Sequence, residues 1–166
     1  MSTYQEILRE FHRSRLLFGD PSDQCVVAVE LASSNEVEVF RRVGADLVRE
    51  RRPVRLFALV EAPSLLNGFA ANYEVRALDG DFPFRHLVTF GSLDALDAAK
   101  KHLRETTGRA PNAPDAPYLV LSDPVEQHLM LSGSTYFMGM EFAALRRLQT
   151  DIETYISPGF EFPSAA

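Results

Sequence analysis

The predicted fold is built around the stretch Val54-Arg55-Leu56-Phe57-Ala58-Leu59-Val60, a strongly apolar run that predicts a buried β-strand. A short helical turn is expected after it, at residues 63–69. Two further strands are predicted at residues 72–78 and 85–90. They are separated by residues 79–83, Asp-Gly-Asp-Phe-Pro, a composition typical of a turn.

A longer helix follows these strands. Ser92 is in position to cap it, the helix is expected to run to about Thr106, and Gly108 comes after its end. Its apolar positions recur with helical spacing at Leu93, Leu96, Ala99 and Leu103. A closing strand is predicted at residues 118–121, after a linker that contains three prolines.

The order β-α-β-β-α-β over about residues 54–121 predicts a ferredoxin-like unit within an α+β fold. The segment between the first two strands is short for a parallel crossover, which usually takes a dozen or more residues. The first helix of this unit is therefore expected to be vestigial.

The N-terminal part of the chain predicts one helix and a β-hairpin. Residues 4–16 have the apolar spacing of an amphipathic helix. A hairpin region is expected at about residues 24–52, with strands at 24–32 and 36–43. Residues 46–52 are too highly charged for their pattern to decide between strand and loop. Cys25, the single cysteine, is expected to be a small buried side chain in the first strand.

A second well-marked helix begins near residue 124. Asp123 can act as its N-cap, Pro124 suits the first helical position, and Gly133 can end it. His128 lies within this helix and is predicted to be a surface or boundary residue. No second histidine or cysteine lies at the spacing that a zinc site requires.

Composition places the chain among ordinary globular proteins. It has 166 residues, of which 46% are hydrophobic and 24% are charged, with a formal net charge of −6. It contains no apolar run long enough to span a membrane and no signal-peptide pattern at its start, so no membrane partner and a cytoplasmic location are expected.

Positive charge is nevertheless concentrated in one part of the sequence. Six arginines oppose only two acids between residues 41 and 55, which leaves a surplus of four positive charges. They are Arg41, Arg42, Arg49, Arg51, Arg52 and Arg55. One interpretation is a solvated strand-and-loop face. The other is a surface that contacts a DNA backbone. A second, weaker candidate for such contact is formed by Lys100, Lys101, Arg104 and Arg109.

Two acids near the end of the chain suggest metal chemistry. Asp151 and Glu153 are two residues apart on a predicted strand, so their side chains point to the same face, roughly 6–7 Å apart at their roots. Such a pair suits a divalent metal ion, or two ions about 3.5–4 Å apart. A complete site needs further ligands.

The sequence around these acids resembles the first exonuclease motif of family-B DNA polymerases and its lead-in, most closely those of the bacterial and archaeal branch. The similar residues are Asp123-Pro124-Val125-Glu126-Gln127-His128-Leu129-Met130-Leu131-Ser132-Gly133, Phe137-Met138-Gly139-Met140 and Leu145-Arg146-Arg147-Leu148-Gln149-Thr150-Asp151-Ile152-Glu153-Thr154. Upstream, residues 17–19, 26–30 and 55–60 also resemble the opening of such proteins, in the same order.

The resemblance implies a fragment of a DNA-directed DNA polymerase with 3′–5′ proofreading activity. Residues 1–140 would be its N-terminal domain, and residues 141–166 would begin an RNase H-like exonuclease domain with its first strand. In the full-length parent, Asp151 and Glu153 would hold Mg²⁺ or Mn²⁺. The partners would be primer-template DNA, the single-stranded template and the remaining exonuclease and polymerase domains. The fragment alone is expected to be an inactive scaffold.

Two other functions remain open. The chain could be a free-standing, non-catalytic module of ferredoxin-like fold that binds nucleic acid or protein, using the arginines between residues 41 and 55. It could also be a small independent metal-dependent hydrolase built around Asp151 and Glu153.

Overall fold

The computed structural model describes residues 18–111 and 113–145. This part of the chain is mixed α+β, with two antiparallel sheets and two α-helices. The helix predicted at residues 4–16 and the strand predicted around Asp151 and Glu153 lie outside the described residues.

The first sheet, here called the N-terminal sheet, is a meander of three strands in the order β1-β2-β3. Its strands are β1 (Val26–Leu31), β2 (Glu36–Val43) and β3 (Asp46–Pro53). The predicted hairpin is thus confirmed, and the charged segment 46–52 proves to be a third strand. Its side chains are mostly exposed because, within the described residues, β3 is an edge strand that pairs with β2 alone.

The second sheet, here called the central sheet, has four strands in the order β5-β6-β4-β7, and every pair is antiparallel. Its strands are β4 (Leu56–Val60), β5 (Glu74–Ala77), β6 (His86–Phe90) and β7 (Tyr118–Leu119). A single 3-10 turn, Pro63–Leu66, is the helical element between β4 and β5. The prediction that the first helix of this unit is vestigial is therefore confirmed.

Helix α1 (Leu93–Thr107) begins and ends where the sequence predicts. The hydroxyl of Ser92 accepts a hydrogen bond from the Ala95 N–H, and Gly108 ends the helix with φ of 66°. The helix buries Leu96, Ala99 and Leu103 in the same core as Leu56, Ala58 and Val88.

Helix α2 (Pro124–Ser132) also has the predicted ends. The Asp123 carboxylate accepts hydrogen bonds from the Val125 and Glu126 N–H groups at 2.7 and 3.3 Å. Gly133 ends the helix with φ of 75°. The helix contacts both β4 and β1, so it bridges the two sheets.

A single hydrophobic core joins the two sheets. Val26, Val37 and Val39 of the N-terminal sheet belong to the same buried cluster as Leu56 and Val60 of the central sheet. A last short 3-10 turn follows at Phe142–Ala144. None of the helices within residues 18–111 and 113–145 has the length and apolar character that crossing a bilayer requires.

Candidate functional site

The arginines between residues 41 and 55 do not form one continuous patch. Side chains alternate along a strand, so Arg41 shares the inner face of β2 with the buried Val37 and Val39. In the register between β2 and β3, Val37 pairs with Arg52, which places Arg52 on that same inner face. Arg41 and Arg52 therefore face the interior.

Both inward arginines converge on Asp23, just before β1. Arg52 binds the carboxylate with two nitrogens, at 2.9 and 3.0 Å. Arg41 binds it at 2.5 Å, and the hydroxyl of Ser134, the third partner, also donates to it. Asp23 is only 9% exposed. We call Asp23, Arg41, Arg52 and Ser134 the Asp23 cluster.

The electrostatics of this cluster favour fully charged groups. Burial by itself raises the pKa of Asp23, but hydrogen bonds from Arg52, Ser134 and Arg41 outweigh that effect and hold the pKa well below its usual range. Hydrogen bonds with Glu50 and with Asp23 raise the pKa of Arg52. The charges of Arg41 and Arg52 are thus largely neutralised inside the protein.

Three other arginines, Arg42, Arg49 and Arg51, lie on the outer face of the N-terminal sheet. Arg51 is mostly exposed and lies 3.8 Å from carboxylate oxygens of Glu36 and Glu38. The guanidinium of Arg49 lies 5.7 Å from the centre of the Phe40 ring.

The Arg42 guanidinium donates a hydrogen bond to the Ala45 carbonyl oxygen at 3.0 Å. The sixth arginine, Arg55, is exposed in the link between β3 and β4. The structure therefore separates the six residues into an inward pair, an outer group of three and Arg55.

Arg55 borders a groove of about 970 Å³ beside the central sheet. Glu74 and Arg76 of β5 and Thr89 of β6 line it, together with Tyr73. The groove therefore combines two positive side chains, one negative side chain and two aromatic rings, the second being that of Phe90.

His128 is fully buried, so the prediction of a surface or boundary residue is wrong. Strand β7 is short and pairs only with Leu59 and Val60 of β4, and helix α2 lies along the first half of that edge. The Arg55 N–H donates to His128 Nδ1 at 3.1 Å, and the Phe57 N–H donates to Gln127 Oε1 at 2.7 Å. Two side chains of α2 thus replace strand partners that β7 is too short to supply.

The chain after α2 folds back against the start of β1. The Phe137 N–H donates to the Val26 carbonyl oxygen at 2.7 Å, and the Cys25 N–H donates to the Met138 carbonyl oxygen at 2.8 Å. Asp20 N–H also donates to the Gly133 carbonyl oxygen at 2.7 Å. Residues 134–140, here called the anchored segment, are therefore tied to β1 by backbone hydrogen bonds as well as by Ser134.

The backbone is strained at this contact. Cys25 and Phe137 have φ of 60° and 64°, values that non-glycine residues rarely adopt. Cys25 precedes β1 and is only half-buried, so the expectation of a buried side chain within the strand is wrong. The backbone of Cys25 takes part in this contact, because its N–H donates a hydrogen bond to the Met138 carbonyl oxygen.

Asp151 and Glu153, the predicted metal ligands, lie outside the described residues. Within residues 18–111 and 113–145 the structure forms no group of three or more His, Cys, Asp or Glu side chains that could hold a metal ion. Comparisons of the chain with models of protein families, with curated proteins and with solved structures found no match.

Sequence reasoning missed the Asp23 cluster, although one signal for it was present. Arg41 follows Val37 and Val39 at two-residue spacing, so it must share their inner face and needs a buried acid. No comparable signal identifies Asp23 or Ser134 as the partners, because they are 111 residues apart in the sequence.

Proposed function

We propose that the chain is the N-terminal part of a family-B DNA polymerase with 3′–5′ exonuclease activity. In this proposal residues 1–140 are a scaffold, and residues 141–166 begin the exonuclease domain. The scaffold holds the stretch that leads to Asp151 and Glu153 in a defined place relative to the two sheets.

One observation carries the proposal: the part of the sequence that resembles the lead-in to the first exonuclease motif is firmly attached to the sheets. Phe137 and Met138 are bound by the backbone of Val26 and Cys25, and Ser134 is bound by Asp23. Because these contacts restrain the chain only 13 residues before Asp151, counted from Met138, they suit a scaffold that positions the following strand.

The connectivity of the central sheet supports a ferredoxin-like unit within this scaffold. Numbering β4 to β7 as the four strands of such a unit, the order β5-β6-β4-β7 reads 2-3-1-4, with α1 between the third and fourth strands. The 3-10 turn Pro63–Leu66 stands in the place of the first helix.

Asp151 and Glu153 are proposed to bind Mg²⁺ or Mn²⁺ in the full-length parent, since both ions favour carboxylate oxygens. Bound there, the ions would activate water and stabilise the leaving oxygen in nucleotide removal. Later segments of the parent would supply the remaining ligands. The remaining exonuclease and polymerase domains of the parent would supply the rest of the DNA-binding surface.

The test is a primer-degradation assay beside a primer-extension assay, both on the full-length parent. The double variant Asp151→Ala/Glu153→Ala should lose degradation and keep extension, because the two activities would reside in separate sites. The matched control is Asp79→Ala/Asp81→Ala, which removes two exposed acids from the turn between β5 and β6 and should leave both activities intact. Degradation retained by the Asp151→Ala/Glu153→Ala variant would refute the metal-binding role.

The same assay on the present chain alone distinguishes the independent hydrolase. The proposal expects no metal-dependent degradation from this chain. Cleavage that requires Mg²⁺ or Mn²⁺ and is lost in the double variant would instead favour a hydrolase built around the two acids.

A second candidate function, binding of single-stranded DNA by a non-catalytic module, is favoured by the outer face of the N-terminal sheet. Arg49 and Arg51 both belong to the exposed edge strand β3. Arg51 is 65% exposed, and its two ion pairs, with Glu36 and Glu38, are long at 3.8 Å, so a phosphate can compete for it. A weak, salt-sensitive affinity for a DNA backbone is expected from such a surface.

This candidate is tested by measuring binding of a fluorescent oligonucleotide at several salt concentrations. Arg49→Glu/Arg51→Glu should weaken binding and reduce its salt dependence. Arg76→Glu/Arg85→Glu makes the same charge change beside strands β5 and β6, outside both positive groups of the sequence, and serves as the control. Equal losses from both variants would show an effect of net charge alone and contradict a binding surface on β3.

A further inference from the structure

We propose that His128 and Gln127 form a proton-sensitive latch that fixes helix α2 to the edge of strand β4. The latch consists of two hydrogen bonds, from the Arg55 N–H to His128 Nδ1 and from the Phe57 N–H to Gln127 Oε1. Only the first of them involves a group that titrates near neutral pH. The latch is a property of the fold and does not depend on the proposed function.

The geometry determines which form of His128 the latch requires. A backbone N–H donates to Nδ1, so Nδ1 is unprotonated and the ring proton of the neutral form is on Nε2. Protonation would place a hydrogen on Nδ1, the second N–H of the ring, facing the Arg55 N–H. Two donors would then oppose each other at 3.1 Å, and the hydrogen bond would be lost.

The surroundings of His128 also oppose a positive charge. The residue is 2% exposed, and Nε2 has no hydrogen-bond partner among the described residues. The charged groups that act on the ring are Arg52 from β3, Arg55 from the β3–β4 link and Asp23 from the segment before β1. Burial lowers the pKa of His128, the two arginines lower it further, and Asp23 opposes them in part.

The direction of the pH effect follows from these contacts. A histidine whose pKa is lowered in the closed state favours closure above its ordinary pKa, near 6.5, and loses that contribution as the pH falls toward the lowered value. Acidification therefore opens the latch. Because α2 ends at Gly133, its release would also loosen the anchored segment that follows.

Amide hydrogen exchange, expressed as protection relative to the intrinsic rate at each pH, tests the latch. Between pH 7 and pH 5, protection of the Arg55 and Phe57 amides should fall together by roughly tenfold. The Leu103 amide inside α1 reports on the rest of the fold and should change much less. Loss of protection at the Arg55 amide alone would mean that α2 stays in place. Constant protection at both amides would mean that protonation of His128 does not release α2. Either result would overturn the proposal.

His128→Asn supplies the decisive variant, because asparagine can place an oxygen acceptor near the position of Nδ1 and does not titrate. It should abolish the pH dependence at both amides, whereas His86→Asn, which changes a less buried histidine of β6, should preserve it. Unchanged pH dependence in His128→Asn would exclude the latch. If that variant does not fold, ¹⁵N spectra of the wild-type imidazole decide the matter, since a neutral ring protonated on Nδ1 is incompatible with the latch.

Discussion

Asp23 joins three segments that are distant in the sequence. Its carboxylate binds Arg41 of β2, Arg52 of β3 and Ser134 of the anchored segment. A carboxylate that is only 9% exposed needs such partners, because an unpaired buried charge is costly.

At this scale we expect Asp23→Asn to destabilise the protein by about 3 kcal/mol, since Arg41 and Arg52 lose the more buried of their two carboxylate partners and keep only Glu50. Chemical denaturation at pH 7 measures the change. Asp97→Asn, which removes an exposed acid paired with Lys100, should change stability by less than about 1 kcal/mol.

The effect of Asp23→Asn should also depend on pH. The pKa of Asp23 is depressed in the folded protein, so its contribution is complete above the unfolded value near 4 and disappears as the pH falls through the folded value. The difference between wild type and variant should therefore narrow only below about pH 4. A difference that had already vanished at pH 6 would contradict the charged pairing.

At the scale of elements, helix α1 packs against the central sheet through one apolar face. Leu96 is 1% exposed and belongs to the core cluster. We expect Leu96→Ala to cost about 2–5 kcal/mol, because it leaves a cavity between helix and sheet. Lys101→Ala, an exposed change in the same helix, is the control in the denaturation experiment. An unchanged midpoint for Leu96→Ala would refute this packing.

Helix α2 is held by polar contacts as well. Gln127 is fully buried, accepts a hydrogen bond from the Phe57 N–H and donates one to the Leu121 carbonyl oxygen, both at 2.7 Å. We expect Gln127→Ala to cost about 2–4 kcal/mol, because the buried Phe57 N–H and the partly buried Leu121 carbonyl oxygen lose their partner. The exposed change Met130→Ala should have a much smaller effect on the denaturation midpoint. Similar losses from both variants would contradict the role of Gln127.

At the scale of the whole molecule, the segment before β1 packs closely against the anchored segment at Gly19. Its φ is 83°, and a Cβ there would clash with Met138 Cε and lie 2.5 Å from Thr135 Oγ1 and 3.1 Å from Thr135 Cβ. Gly68 has the same φ, but a Cβ there would meet nothing within 4 Å. Comparing alanine substitutions at Gly19 and Gly68 therefore distinguishes the cost of backbone strain from the cost of overpacking.

We expect Gly68→Ala to cost about 1–2 kcal/mol from strain alone. Gly19→Ala should cost roughly 1–3 kcal/mol more, because Thr135 and Met138 must also move. Thermal and chemical denaturation of both variants give the comparison, and limited proteolysis should detect loosening near residue 135 only in Gly19→Ala. Equal destabilisation would mean that the contact with Thr135 is unimportant.

The sequence alone determined the elements whose signals are local. Helix α1 is capped by Ser92 and Gly108, and helix α2 is capped by Asp123 and Gly133. The two-residue spacing of Val37 and Val39 marks β2. Capping and periodicity act between residues at most a few positions apart, so they can be read without knowing the fold.

Only the tertiary structure decided how those elements use their polar residues. The arginines between residues 41 and 55 are close together in the sequence but lie on opposite faces of the N-terminal sheet. The reason is that successive side chains of β2 and β3 point to opposite faces. His128 is buried because β7 is too short to cover the edge of β4, which no local pattern around His128 reveals. Asp23 meets Ser134 across 111 residues of sequence, and a contact of that separation is set by the packing of the two sheets and α2.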